Sequence, residues 1–260
     1  MNIAVLIKQV PRTDRIKIDH ETGTLIRSGV ESILNPYCEY ALDLAVDIKK
    51  RCGGVKITAF TMGPSSSEAV LRRAMALGAD EGVMLCDRAF AGSDCWATAY
   101  TLSSGILKVF EGLPDMIICG KQAVDGDTAQ VPGEIATILD IPVLPYVNRV
   151  TEVCDFAEAV CEMDSELLTL RSGLPVLMTV GSGSNIRRMP SLNDVRSAFK
   201  KKVTVLDAKA AGCDPSFTGL KGSPTRVVKI ETVVSKGKCM IFDEKNIEQG
   251  LDYFNGIIYK

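Results

Sequence analysis

Short apolar runs recur along the first half of the chain, each followed by turn residues and then by apolar residues at helical spacing. The runs have the length and composition of strands buried on both faces, and they cover Asn2 to Ile7, Val55 to Met62, Val83 to Cys86 and Met116 to Cys119. The predicted helices run from the Asn35-Pro36-Tyr37 turn to about Arg51, from Glu68 to Leu77, from Ser93 to Phe110, and onward from Asp127 or Thr128. Four such alternations predict an α/β fold with a doubly wound, mostly parallel sheet.

The pattern changes after Leu144. Residues Val147 to Glu162 and Leu167 to Arg171 alternate apolar and polar side chains, which predicts an antiparallel pair added to the sheet. The run Pro175 to Val180 is apolar enough to return to the central sheet. A small hairpin is also expected between Lys17 and Arg27, around the turn HETGT.

Polar and basic residues dominate after Gly181, and the apolar residues among them are too sparse for a core element. Beyond this segment the sequence predicts a strand at Val203 to Leu206, a short helix at Asp207 to Ala211 and a turn near Gly222. The tail that follows contains several Ile and Tyr residues. We expect it to fold back or to pack on a partner.

The bulk composition is that of a soluble globular protein, with 260 residues, 46% hydrophobic residues and a formal net charge of −2. Basic and acidic residues nearly cancel, so nothing favours binding to nucleic acid. No apolar run approaches the ~20 residues of a spanning helix, so we expect a cytoplasmic protein without a membrane span. The nine cysteines contain no CxxC pair, and His20 is the single histidine, so we expect reduced thiols and no metal site.

The stretch from Met116 to Ala136 is the strongest candidate for a binding site. A strand, a loop containing Gly120 and Gly126, and a helix start follow one another there. Open α/β sheets bind ligands at the carboxyl ends of their strands, and a helix N-terminus can hold a phosphate without a basic side chain. The candidate donors are the backbone N–H groups of Thr128, Ala129, Gln130 and Val131.

Other interpretations of this loop stay open from its residues alone. Any strand-to-helix connection favours glycine and a capping Asp or Thr, so a plain crossover loop explains it as well. It matches neither the GxGxxG fingerprint nor a Walker A loop. A third interpretation is a hydrolase or transferase that uses Asp125 and Asp127 as bases or Mg²⁺ ligands, against which the lack of a nucleophile motif counts.

Several motifs in a fixed order give the chain a specific resemblance to a known family. They are KQVP, NPY, TMGP, ALGAD, CGKQAVDGDTAQ, and LRSGLPVLMTV followed by the basic MPSLNDVRSAFKKK. Together they resemble the β subunit of electron-transfer flavoproteins. The resemblance implies a flavodoxin-like nucleotide-binding domain over residues 1–205, with a recognition loop at 187–202, and an extended C-terminal arm, residues 206–260, that packs on the partner subunit.

The implied function is electron transfer between dehydrogenases and other redox carriers, in a heterodimer with an α subunit that carries FAD. This chain would turn over no substrate of its own, but would hold a nucleotide-derived cofactor. Adenine and ribose are implied to contact Leu6, Lys8, Asn35 and Met62. The phosphates are implied to contact the loop and helix start, through Gly120, Val124, Asp125, Asp127, Thr128, Ala129, Gln130 and Val131.

The loop sequence DGDTAQV is similar to that of the electron-bifurcating members of this family, in which the pocket holds a second FAD in place of AMP. The resemblance then implies that a hydride arrives from NADH, and that electrons leave to ferredoxin and to an acyl-CoA dehydrogenase. Gly126 would let the backbone approach the larger cofactor. Pro132 departs from the family pattern and removes an N–H donor, so AMP is kept as the alternative.

Two positions are implied to face protein partners. Leu192 matches an apolar anchor that docks into a partner dehydrogenase, and the alternative from composition is a solvated basic linker. Glu162 matches a family glutamate near the α-subunit flavin, where it pairs with an arginine. The competing function is an adenosine-nucleotide-binding module without redox work, which predicts neither a flavin nor an α subunit.

Overall fold

The computed structural model describes residues 1–12, 17–18, 25–26, 31–164, 166–181, 188–226, 228, 240–244 and 246–258. The strands are β1 (Asn2–Leu6), β2 (Gln9–Pro11), β3 (Lys17–Ile18), β4 (Leu25–Ile26), β5 (Ser32–Leu34), β6 (Lys56–Met62), β7 (Glu81–Leu85), β8 (Met116–Gly120), β9 (Val143–Val153), β10 (Phe156–Met163), β11 (Glu166–Gly173), β12 (Val176–Val180) and β13 (Val203–Leu206). The helices are α1 (Pro36–Arg51), α2 (Glu68–Leu77), α3 (Cys95–Phe110), α4 (Val131–Leu139), α5 (Leu192–Ala198), α6 (Gly219–Gly222) and α7 (Ile247–Ile258).

Nine strands form one sheet in the order β11-β10-β9-β12-β8-β1-β6-β7-β13. The strands from β9 through β12 to β13 run parallel to their neighbours, and β10 and β11 extend the sheet antiparallel beyond β9. This confirms the predicted α/β class, the mostly parallel sheet and its antiparallel addition. From β1 the chain builds outward to β6 and β7, then returns to place β8 on the other side of β1. The carboxyl ends of β1 and β8 therefore flank the point where the strand order reverses.

Two apolar layers cover the faces of this sheet. Along β1, Ile3 and Val5 pack in one layer with residues of α1 and α2, whereas Ala4 and Leu6 pack in the other with residues of α3 and α4. This alternation follows from the two-residue period of a strand. Each fully buried Ile or Leu side chain contributes roughly 1.5–3 kcal/mol to folding, so the layers hold the strand ends in fixed positions.

The segments predicted as an antiparallel pair form three strands, β9, β10 and β11, of which β9 also pairs parallel with β12, so the prediction of a pair is wrong. The predicted strand from residue 147 to 162 covers most of β9, an exposed connection at Cys154 and Asp155, and most of β10. That connection carries neither glycine nor proline, and the single Asp155 is only a weak turn signal. The return of β12 to the centre of the sheet, between β9 and β8, is confirmed.

The segment after β13 differs from its prediction at residues 207–211 and at α6 and α7, which were not predicted. Residues 207–211 form a single turn and no helix: the Asp207 carboxylate caps the turn by accepting from the N–H of Ala210 at 2.7 Å, but Gly212 has a left-handed backbone conformation, with φ of 72°, and ends it. Strand β13 is confirmed with its predicted bounds. Strands β3 and β4 pair as the predicted hairpin, while its turn, with His20, lies outside the described residues.

The C-terminal region divides into two parts. Residues from Asp214 to Thr225 pack on the chain's own domain: the Phe217 ring lies 5.3 Å from that of Tyr100, and Asp94 accepts hydrogen bonds from the N–H and hydroxyl of Thr225. Helix α7, by contrast, exposes more than half of each of four apolar side chains at helical spacing, those of Ile247, Leu251, Phe254 and Ile258. No helix in the described ranges combines the length and apolar character needed to cross a bilayer.

Candidate functional site

The candidate site lies where β1 and β8 end side by side. Leu6 at the end of β1 is level with Cys119 near the end of β8, and the chain continues into Lys8 on one side and into a ten-residue loop, 121–130, on the other. We call residues 121–130 the β8–α4 loop. Its outer half, residues 125–130, is exposed, so its main chain is open to a ligand.

Asn35 fixes the position of this loop. The side chain is 1% exposed; its Nδ2 donates to the carbonyl of Gln122 at 2.9 Å, and its Oδ1 accepts from the N–H of Val124 at 3.2 Å. The backbone N–H of Asn35 donates to the carbonyl of Lys8 at 2.9 Å. One buried residue thus joins the segments after β1 and β8, by its backbone and its side chain. The residue that the family resemblance implied as a cofactor contact is therefore also the anchor of the loop.

Charged and polar side chains brace the loop from both ends. Lys8 Nζ lies 2.7 Å from Asp125 Oδ1, and the Gln122 amide donates to the carboxylate of Asp127. The N–H of Asp127 donates to the carbonyl of Ala123 at 2.8 Å. The structure therefore brings together the predicted Lys8, Asn35, Val124, Asp125 and Asp127.

Helix α4 starts later than predicted. It begins at Val131 with Gln130 as the preceding residue, because Asp127 and Ala129 both have left-handed backbone conformations, with φ of 52° and 55°. The N–H groups of Thr128, Ala129 and Gln130 therefore belong to the loop. Pro132 falls in the first turn, where a missing N–H costs no intrahelical hydrogen bond.

The two glycines of the predicted site differ in whether packing requires them. A Cβ built on Gly120 would lie 2.6 Å from the Cβ of Tyr37 and 2.7 Å from its carbonyl carbon, so only glycine lets the start of α1 pack against the end of β8. A Cβ on Gly126 would meet nothing within 4 Å. The packing of this chain therefore does not require glycine at position 126, and there is free space at this point of the loop.

The apolar members of the predicted site, Leu6 and Met62, lie at the ends of β1 and β6. Leu6 is 6% exposed and belongs to the layer formed with α3 and α4, and Met62, at the end of β6, packs against that layer while partly exposed. Next to them, the hydroxyl of Ser67 donates to the side chain of Gln9 at 2.7 Å. Leu6 and Met62 thus form an apolar surface at the ends of β1 and β6, and the polar side chains of Ser67 and Gln9 lie at its edge.

Sequence reasoning missed two side chains beside the loop. The Cys95 thiol, at the start of α3, lies 3.3 Å from the hydroxyl of Thr128. Glu134 Oε2 in the first turn of α4 is buried and has no hydrogen-bond partner among the described residues. Their only sequence signal was proximity to two predicted helix starts, because the contact between α3 and α4 is a tertiary one.

The charges around these side chains shift their titration. Burial, then the nearby charge of Asp94, raises the pKa of Glu134 above its usual 4.5. Asp94 itself is partly desolvated, but hydrogen bonds from the N–H groups of Ala97 and Thr225 outweigh this and lower its pKa. Burial also raises the pKa of the Cys38 thiol beneath Asn35, although the Asn35 amide donates to it.

The described cysteines are all free thiols, and no group of three potential ligands in the described ranges could hold a metal ion.

The predicted Glu162 lines a polar cleft of about 330 Å³ that adjoins the β8–α4 loop at Lys121 and Gln122. The cleft is lined by Lys121, Gln122, Tyr146, Val147, Asn148, Glu162, Met163, Asp164 and Gly181. Glu162 itself is exposed on β10, opposite Leu167 of β11. It is therefore positioned to meet another molecule.

The predicted recognition loop contains a helix. Ser191 and Asp194 form a reciprocal capping box that starts α5, and Leu192 in its first turn is 90% exposed. Val195 and Phe199 follow at helical spacing and are also exposed, as is Met189 just before the helix. We call Met189, Leu192, Val195 and Phe199 the apolar face of α5. Arg187, at the start of the predicted loop, lies outside the described residues.

Comparison with known proteins identifies the relatives of this chain. Residues 22–211 match the electron transfer flavoprotein domain. The chain is 47% identical over 235 residues to an electron transfer flavoprotein subunit beta of Thermoanaerobacterium thermosaccharolyticum, covering 89% of this chain and 88% of that one. It is 42% identical to the FixA protein of Azotobacter vinelandii, over 88% and 83% of the two chains. It is 40% identical to the caffeyl-CoA reductase-Etf complex subunit CarD of Acetobacterium woodii, over 91% and 90%.

Proposed function

This chain belongs to the electron-transfer flavoprotein family as a β subunit, and from that membership we propose that it holds FAD at the ends of β1 and β8 and works in an electron-bifurcating complex. Its partner would be an α subunit that carries a second FAD. The observation that carries the proposal is the β8–α4 loop. Asn35 fixes this loop in position at a topological switch point, and the outer residues of the loop, 125–130, are exposed there.

The residues present suit a dinucleotide cofactor. Left-handed residues at Asp127 and Ala129 can turn neighbouring N–H groups toward one side, which makes a concave site for a pyrophosphate. The open space at Gly126 admits the backbone close to a ligand larger than AMP. Because Pro132 lies within the first turn of α4, its missing N–H does not argue against phosphate binding at this helix start.

Each part of the site would have its own role. Leu6 and Met62 would lie against the adenine, and Lys8 would face the ribose and phosphates with Asp125 limiting its movement. Gly120, Val124 and residues 125–131 would supply main-chain contacts to the phosphates. When bound, FAD would accept a hydride from NADH and deliver electrons to ferredoxin and, through the α subunit, to an acyl-CoA dehydrogenase.

The apolar face of α5 would dock the dehydrogenase. Four exposed apolar side chains on and beside one short helix are surrounded by Arg188, Arg196, Lys200 and Lys202. This combination fits a partner with an apolar groove and an acidic rim. One relative carries caffeyl-CoA reductase in its name, which supports a partner that acts on a CoA thioester.

Two further surfaces would face the α subunit. Glu162, in its polar cleft, would pair with an arginine near the α-subunit flavin. Helix α7 would bury its exposed row of apolar side chains on the same subunit, as the end of the C-terminal arm. The chain therefore offers separate surfaces for cofactor, dehydrogenase and α subunit.

The test is to add NADH anaerobically to the purified αβ complex and to follow flavin absorbance. The proposal expects NADH to reduce flavin without any dehydrogenase present. If NADH leaves the flavin oxidised while an acyl-CoA dehydrogenase with its acyl-CoA reduces it, the chain is an electron carrier of the AMP-containing kind and the bifurcating role is wrong.

A further inference from the structure

Arg72, on α2, holds the C-terminal end of α5. Its Nη1 donates to the carbonyls of Ala198 at 3.0 Å and Lys201 at 2.9 Å, with the carbonyl of Phe199 at 3.4 Å. Its Nε and Nη2 donate to Glu68 at 3.0 and 2.7 Å, which orients the guanidinium toward α5. One side chain thus binds three carbonyls of a segment that lies about half the chain away in sequence.

Two other contacts hold the same segment. Lys201, just after α5, donates from Nζ to the carbonyls of Met75 at 3.0 Å and Ala79 at 2.6 Å. Before the helix, the N–H of Arg188 donates to the carboxylate of Asp43 at 3.2 Å. The segment is therefore held at both ends, and Arg72 is the contact that reaches the end of the helix itself.

Helix α5 needs such support. It is seven residues long, whereas isolated helices shorter than about 12–15 residues are marginal in water. Ala198 is its one buried residue, so little apolar burial stabilises it. The last carbonyls of a helix have no partner within the helix, and a cation there also meets the negative end of its dipole. Arg72 supplies both donors and charge at this point.

We infer that Arg72 is a positioning residue for partner recognition: it keeps α5 folded and oriented, so that the apolar face is formed before the dehydrogenase arrives. The inference rests on the docking role proposed for that face. Arginine suits this task because its planar fork can bind Glu68 and several carbonyls at once, which the single ammonium of lysine cannot do.

The consequence is a specific kinetic pattern. Apparent affinity falls in proportion to the fraction of molecules whose docking element is formed. If α5 is formed in about a tenth of the molecules without Arg72, the KM for the dehydrogenase rises about tenfold. The kcat at saturating dehydrogenase should stay unchanged, since none of the residues assigned to the cofactor of this chain lies on α2.

The test compares R72Q with R73Q in the purified αβ complex. Arg73 is the matched control because it is the neighbouring arginine of α2, but pairs with Glu39 at 3.6 Å and makes no hydrogen bond or ion pair with α5 in the described structure. Hydrogen exchange of residues 192–199 reports whether α5 is formed. Steady-state reduction of the complex by a purified acyl-CoA dehydrogenase from the same organism gives KM and kcat, and L192A and R72Q/L192A complete a double-mutant cycle.

The inference expects faster hydrogen exchange and a tenfold higher KM in R72Q, and near wild-type values of both in R73Q. In R72Q/L192A, the fold-increase in KM should be smaller than the product of the fold-increases in the two single variants. R72K, offered as a milder change, should fall between wild type and R72Q. If the KM is high in L192A but equal in R72Q and R73Q, the role of Arg72 is overturned and the docking function of the apolar face stands. An unchanged KM in L192A overturns the docking function itself. If R72Q fails to fold, the same comparison is made with R72K.

Discussion

The β8–α4 loop and helix α5 follow neighbouring strands of the sheet, β8 and β12, yet they present opposite chemistry. The loop exposes main chain and charge, while α5 exposes apolar side chains. In each, one side chain distant in sequence makes two or more of the contacts that hold it: the buried amide of Asn35 for the loop and the guanidinium of Arg72 for the helix. An anchored loop can present amides to a small anionic ligand, whereas an anchored helix presents a hydrophobic surface to a protein. Cofactor binding and partner docking should therefore be separable by mutation.

The largest effect is expected from N35A. It leaves the carbonyl of Gln122 and the N–H of Val124 without their buried partner, at about 1–3 kcal/mol for each group. Retention of the β-site nucleotide should fall about 100-fold, measured by equilibrium dialysis of the αβ complex. The KM for the dehydrogenase, measured on molecules that retain nucleotide, should not change. A variant that keeps its nucleotide would show that Asn35 does not hold the site open.

L192A should give the reverse result. Truncating a central anchor commonly costs about 2 kcal/mol or more, so the KM for the acyl-CoA dehydrogenase should rise about 30-fold. Nucleotide content should equal that of wild type, because Leu192 contacts no part of the β8–α4 loop in the described structure. Loss of nucleotide in L192A would break the separation between the two regions.

D127A should have a moderate effect on the cofactor alone. Alanine tolerates the left-handed conformation of this position less well than Asp, and the hydrogen bond from Gln122 is lost, so retention should fall about tenfold. D127N is the control, since Asn also favours the left-handed region, and it should remain within about twofold of wild type. Equal nucleotide content in D127A and wild type would contradict the placement of the pyrophosphate.

The smallest effect concerns Glu134. Its pKa is raised in the folded state, so its protonated form is favoured: the associated stability is full below about pH 4.5 and is lost as pH rises through the folded pKa. Asp94 stays ionised across this window, since its own pKa is lowered. E134Q should therefore gain stability relative to wild type as pH rises above about 4.5, measured by urea unfolding. A difference that does not vary with pH would mean that Glu134 does not titrate in this way.

Local patterns predicted the fold well where runs of apolar residues, or apolar residues at helical spacing, mark an element of the core. Helix α2 and strand β13 have their predicted bounds, and β8 is buried at every position. Prediction failed where long-range contacts decide the structure. Helix α5 was not predicted, because it has one buried residue and depends on contacts from Arg72, about half the chain away.

The site was predictable in part for the same reason. Glycines and acidic residues marked the β8–α4 loop, and the family resemblance added Lys8 and Asn35. No local pattern revealed that Asn35 would anchor a loop 87 residues away, or that left-handed residues would delay the start of α4. The contacts that shape the site are tertiary, and they follow from the order of strands in the sheet.

The most direct test of the central claim is to release the cofactors of the αβ complex with acid and count them by chromatography. We predict two FAD per heterodimer in wild type and one in N35A, the one remaining being that of the α subunit. A count of one FAD and one AMP would mean that the pocket is placed correctly but holds AMP in place of FAD. One FAD with no second adenine nucleotide would contradict the claim that the loop after β8 holds a nucleotide at all.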